Sequence, residues 1–101
     1  KQINGENEGS KQKENYLERK EIDREIRKTS TQVEKSETEL EEIENTIKAM
    51  DAQLSKGLQG EDPEFFSRYE DLKKRQDSLL MKWERLQYEL DILNEKRNSV
   101  N

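Results

Sequence analysis

The sequence contains no cysteine and no histidine, and only one proline and four glycines in 101 residues. Each shortage excludes something. Without cysteine there is no disulfide framework and no zinc ribbon. Without histidine there is no imidazole base and no imidazole metal ligand. Apolar residues make up 28% of the chain, too few to fill a multilayered core at this length. No stretch approaches the roughly 20 apolar residues of a membrane span, and none has a secretory-signal pattern. The length allows one domain. Charge is what the chain has in abundance: 43% of its residues are Asp, Glu, Lys or Arg. Such a composition suits either a disordered chain or a long charged helix with a thin apolar stripe. The order of the apolar residues decides between them.

The chain divides in three. Residues 1–10 are polar, carry Gly5 and Gly9, and read as a flexible linker. Residues 11–56 lack glycine and proline, which allows one unbroken helix of about 70 Å. Residues 57–63 hold two glycines and the proline and read as a turn. Asp62-Pro63-Glu64 is a helix start: Asp62 can cap, Pro63 suits the first turn, and Glu64 favours the positive end of the helix dipole. The second helix is predicted over 64–98.

The apolar spacing is regular. Ile22, Ile26, Thr29, Val33, Ser36, Leu40, Ile43, Ile47, Met50 and Leu54 step by alternating fours and threes. Phe65, Tyr69, Leu72, Gln76, Leu79, Trp83, Leu86, Leu90, Leu93, Arg97 and Val100 do the same. These are heptad seams, with Ile26, Val33, Leu40 and Ile47 at a and Ile22, Ile43 and Met50 at d. Folding the chain back at residues 59–60 brings every seam position onto a seam position. Leu54 meets Phe65, Met50 meets Tyr69, Ile47 meets Leu72, Leu40 meets Leu79, Ile26 meets Leu93, and Ile22 meets Arg97. Ser36 falls opposite Trp83, a small residue making room for the largest one. Thr29 falls opposite Leu90. Glu39–Lys82, Glu25–Lys96 and Glu44–Lys73 are opposite-charge flanking pairs; each contributes about 0.5 kcal/mol or less, but together they favour this register. The pattern predicts an all-α fold: a two-helix antiparallel intramolecular coiled-coil hairpin over 11–98, monomeric. Pairing of two chains through an opened turn is the alternative assembly. Trp83, Tyr69 and Phe65 lie on the seam as core residues. Phe66 and Leu80 lie off it and would widen it near the turn, whereas Tyr88, at an f position, should be exposed.

Catalytic signatures are missing from the sequence. There is no GxxxxGK[ST] phosphate loop and no GxGxxG. The carboxylates Glu34, Glu37, Glu39, Glu41, Glu42 and Glu44 fit a solvated helix face, where nothing splits their acidities into an acid and a base. Gly60-Glu61-Asp62 lacks the twelve-residue calcium-loop pattern. The expectation is a chain that binds and does not catalyse, with no catalytic residue, no metal site and no cofactor of its own.

Charge is unevenly spread. Residues 11–28 carry seven basic and five acidic residues, residues 34–64 three and ten, and residues 65–101 eight and seven. The predicted base of the hairpin is therefore basic, and the outgoing helix toward the turn is acidic. Lys13, Lys20, Arg24 and Arg27 fall on b and f positions and would share one outward face. Lys and Arg so arranged can neutralise successive phosphates. From charge alone, however, the run is better read as a solvated face balanced by Glu21, Asp23 and Glu25.

The segments KENYLERKEIDREIRK, EDPEFFSRYEDL and LMKWERLQYEL, in this order around a heptad helix and turn, add a further signal. Together they resemble the C-terminal coiled-coil domain of ABC-F ATPases, of the Uup-like subgroup, over about residues 11–95. The most specific elements are Tyr16 with the basic run after it, Asp62 with Tyr69 and Leu72, and Trp83-Glu84-Arg85-Leu86. The resemblance implies a cytoplasmic parent with two ATP-binding cassettes and no membrane domain. ATP and Mg²⁺ would belong to those cassettes, which this chain lacks. It implies work on ribosomes and translation or on DNA, and raises the nucleic-acid reading above the solvated-face reading. The candidate contacts to DNA or ribosomal RNA are then Lys11, Lys13, Tyr16, Arg19, Lys20, Arg24, Arg27 and Lys28. The competing expectation is a structural protein–protein interaction arm, using the acidic face or Phe66 and Leu80.

Overall fold

The structure, a computed structural model, describes residues 2–57 and 62–100, with side chains from residue 13 onward. It is an all-α antiparallel pair of helices, α1 (Gln2–Ser55) and α2 (Pro63–Ser99), with no strand among the described residues. α2 falls within one residue of its predicted bounds. α1 begins earlier than predicted: its helical backbone reaches back to Gln2, across most of the segment expected as a linker. Gly5 and Gly9 each cost a helix about 1 kcal/mol relative to alanine, but no proline interrupts the run. Residues 58–61 of the expected 57–63 turn lie outside the described residues.

The turn is built from its two ends. Gly57 adopts φ +74°, a left-handed conformation that strains any residue with a Cβ. A Cβ added there would meet nothing within 4 Å, so backbone conformation alone demands glycine. The Gly57 amide donates to the Leu54 carbonyl at 3.0 Å, closing the last turn of α1. Asp62 caps α2, its Oδ1 accepting from the Glu64 amide at 3.0 Å. Its carbonyl accepts the first helical bond, from the Phe66 amide.

The chain packs as two units, each made of a stretch of both helices. The turn unit is Val33–Arg85; the terminal unit is Lys1–Gln32 with Leu86–Asn101. In the turn unit Val33, Ser36, Ile43, Ile47, Met50, Phe65 and Leu79 are buried. Ile43, Ile47 and Leu79 form a cluster against which Leu40, Tyr69 and Leu72 pack. These are the Leu40–Leu79 and Ile47–Leu72 layers of the predicted register. Each fully buried aliphatic side chain contributes about 1.5–3 kcal/mol of transfer free energy, which makes this cluster the main source of stability in the unit. In the terminal unit Ile22, Thr29 and Leu86 are buried, while Ile26, Leu90, Leu93 and Arg97 are half-buried.

Three polar links tie α2 to α1. The Tyr69 hydroxyl donates to Asp51 Oδ1 at 2.7 Å, Trp83 Nε1 donates to Glu37 Oε1 at 3.0 Å, and Arg97 Nε donates to Asp23 Oδ1 at 2.7 Å. The acceptors Asp23, Glu37 and Asp51 are spaced two heptads apart at e positions of α1. The donors Tyr69, Trp83 and Arg97 are spaced two heptads apart on the α2 seam. Each acceptor is the residue directly after the seam partner that the register assigns to its donor: Met50, Ser36 and Ile22. A seam side chain with a polar tip thus buries its body and leans out to a flanking carboxylate.

These links replace the expected flanking ion pairs. Glu44 pairs with Lys48 on its own helix at 3.3 Å, not with Lys73. Lys73 instead lies over the Tyr69 ring, with Nζ 5.5 Å from its centroid. Glu39–Lys82 and Glu25–Lys96 are not among the ion pairs of the described residues. On an exposed helix face a pair four residues apart needs no reach across the seam, so it forms at lower entropic cost. Phe66 and Leu80 also depart from expectation: each is 41% exposed, and Phe66 meets Phe65 edge-on at 5.9 Å without widening the seam. Tyr88 is exposed, as its f position requires.

Candidate nucleic-acid interface

The terminal unit carries a concavity of about 370 Å³ lined by Tyr16, Arg19, Lys20, Asp23, Arg27 and Arg97. Helical spacing assembles it. Tyr16, Lys20, Asp23 and Arg27 step by four, three and four residues along α1 and so share one stripe. Arg19 sits one heptad before Ile26, at an a position. Its side chain runs onto the seam, and its Nε is buried without a hydrogen-bond partner. An arginine tolerates this because the aliphatic stem covers apolar surface while the end of the guanidinium reaches outward. Arg97 arrives from α2, held by Asp23.

The electrostatics are lopsided. Four cationic side chains line the concavity with one carboxylate, and that carboxylate is already engaged by Arg97 at 2.7 Å. A charge-assisted bond of this length is stronger than a neutral one, but the Arg97 and Asp23 side chains are 34% and 47% exposed, so its net value is modest. Arg19, Lys20 and Arg27 remain without an ion pair among the described residues. The arrangement presents several donors and an uncompensated positive charge to an anion, and phosphate or carboxylate fits that chemistry.

Of the candidate residues, the structure brings Tyr16, Arg19, Lys20 and Arg27 together. Arg24 is not with them: it pairs with Glu21 at 3.5 Å. Lys13, Lys20, Arg24 and Arg27, on the expected outward face, are all exposed, and of the four Lys20 and Arg27 also line the concavity. Lys13 and Lys28 are exposed and do not line the concavity. The Lys11 side chain lies outside the described residues. Asp23 and Arg97 are the members that the sequence reading left out of the site. The signal for both was present, because the register sets Arg97 opposite Ile22, next to Asp23.

Elsewhere, Tyr69 holds its proton more tightly than an ordinary tyrosine, its pKa raised above 10.0. The main cause is donation of that proton to Asp51; desolvation and the Asp51 charge act in the same direction. No group of three carboxylates, histidines or cysteines among the described residues is placed to hold a metal ion. No described helix is long and apolar enough to cross a membrane. Comparison of the chain with protein-family models, with curated proteins and with solved structures finds no match.

Proposed function

We propose that this hairpin is a nucleic-acid-binding arm that contacts phosphates, without reading sequence, through the concavity of its terminal unit. The observation that supports this is the gathering of Arg19, Lys20, Arg27 and Arg97 around one hollow with a single, already paired carboxylate. Cations so clustered release counterions when phosphates enter, which drives association at low salt. We propose further, on the resemblance of its motifs, that the chain is the C-terminal domain of a cytoplasmic, Uup-like ABC-F ATPase acting on ribosomes and translation or on DNA. The hairpin is then monomeric and performs no catalysis, and ATP with Mg²⁺ is handled by cassettes elsewhere in the parent. Two ATP-binding cassettes encoded upstream in the same gene are the expected finding; their absence removes this part of the proposal.

The binding itself is tested by salt titration. Affinity for DNA or RNA should fall steeply as salt rises. The double variant Lys20→Glu/Arg27→Glu should weaken binding by about 10-fold or more and flatten the salt slope by about 1.5. Arg24→Glu, which reverses a charge already paired with Glu21, should have a smaller effect. Affinity that is flat in salt, or unchanged in the double variant, overturns the reading. The second reading, a protein–protein interaction arm, is favoured by the exposure of Phe66 and Leu80. It predicts recovery of a protein partner that is lost in Phe66→Ser/Leu80→Ser, with no retention of nucleic acid.

A further inference from the structure

Resting on the nucleic-acid reading above, we infer that the ligand is a single-stranded segment, with one unpaired base stacked on Tyr16 and its phosphate held by Arg19, Lys20, Arg27 and Arg97. Two observations carry this. First, Arg19, Lys20 and Arg27 of α1 and Arg97 of α2 line one hollow of about 370 Å³. Arg24, Lys13 and Lys28 do not line it, and Arg24 is paired with Glu21. A duplex offers a long double row of phosphates and is best met by a long basic surface; a convergent cluster suits a short stretch of one strand.

Second, Tyr16 lines the same hollow and is 57% exposed. An aromatic ring beside a cation cluster is a stacking platform, and only an unpaired base can present its face to it. Tyr16 has no seam role to explain its presence. It lies at an e position one heptad before Asp23, outside the a and d seam.

The test is fluorescence anisotropy with the full chain and labelled oligonucleotides of one length: single-stranded DNA, single-stranded RNA and a DNA duplex. Both single strands should bind at least about 10-fold more tightly than the duplex. Tyr16→Ala should cost about 5- to 100-fold for the single strands, the fold-change equivalent of one lost base stack, and leave the duplex unchanged. Tyr16→Phe should restore binding, because the platform needs the ring and not the hydroxyl. Tyr16 is exposed, so circular dichroism of both variants should match the parent chain. Equal or tighter binding of duplex, or an equal loss on all three ligands in Tyr16→Ala, overturns the inference. The two levels fail differently. If Lys20→Glu/Arg27→Glu changes nothing, the nucleic-acid reading itself falls. If the double variant weakens binding while Tyr16→Ala does not, only the single-strand inference falls.

Discussion

The turn unit and the terminal unit use the same heptad frame and fill it differently. In the turn unit the seam is apolar, with Ile43, Ile47 and Leu79 buried in one cluster. Its groove of about 330 Å³ is lined by Met50, Phe65 and Leu72 with Thr46, Gln53 and Arg68. In the terminal unit two seam positions are given to arginines, Arg19 and Arg97, and the groove of similar size is basic. Putting arginine on a seam forgoes apolar burial and leaves Arg19 Nε unsatisfied. It also places a guanidinium where two helices can aim side chains at one point. The difference shows that a two-helix hairpin, which has no interior to spare, can form a charged hollow by giving up core positions near one end.

Truncating a buried isoleucine in each unit should break this comparison or confirm it. Ile47→Ala removes a side chain at the centre of the apolar cluster and should cost about 2–5 kcal/mol. Ile22→Ala removes one whose register partner is Arg97, a flexible stem that can settle into the space, and should cost about 2 kcal/mol or less. Urea denaturation followed by circular dichroism measures both. Equal losses would mean that the terminal unit is as firmly packed as the turn unit, and that its arginines carry no stability penalty.

Overpacking sharpens the contrast at a smaller scale. Ser36 is the buried small residue of the turn unit, beside the position where Trp83 reaches Glu37. Ser36→Trp should destabilise by about 1–3 kcal/mol, since a second large ring has no room there. Thr29 is its counterpart in the terminal unit and borders an open groove of about 230 Å³ with Glu25, Glu89, Ile92 and Leu93. Thr29→Trp should therefore cost under about 1 kcal/mol. A neutral Ser36→Trp would mean that Trp83 does not occupy the layer assigned to it.

The fold was largely legible because it depends on spacing. Ile22, Val33, Ile43, Ile47 and Leu79 are buried where the heptad steps put them, and Asp62 caps where its neighbours Pro63 and Glu64 said it would. The expected flanking pairs failed for a physical reason. Long side chains such as Glu44 and Lys73 have several partners within reach, and sequence spacing cannot rank a neighbour four residues away against one across the seam. The Asp23, Glu37 and Asp51 links were harder to anticipate. They require a large seam residue to lean sideways, which follows from side-chain direction and not from position in the heptad. The candidate site was legible by residue type, and Tyr16, Arg19, Lys20 and Arg27 were named. What sequence could not separate was Arg24 from Lys20, because charge counting does not see that Glu21 already holds one of them.

The smallest expected effect separates the links themselves. The Arg97–Asp23 link of the terminal unit is a part-exposed ion pair and should weaken as salt rises. The Tyr69–Asp51 link of the turn unit should respond to alkali. Tyr69 has its pKa raised above 10.0 in the fold, so the native state holds this proton more tightly than the unfolded chain does. The stabilisation is therefore fully present below about pH 10 and is lost as pH rises through the raised folded value. Above that, a phenolate would face the Asp51 carboxylate, and the hydrogen bond becomes a repulsion. Thermal melts recorded between about pH 8 and pH 11 should show the parent chain losing more stability than Tyr69→Phe over this range. The effect should be small, because the link lies at the surface. Parallel pH profiles for the two chains would show that the hydroxyl contributes nothing to the register, and that the ring alone, on the seam and beneath Lys73, accounts for tyrosine at this position.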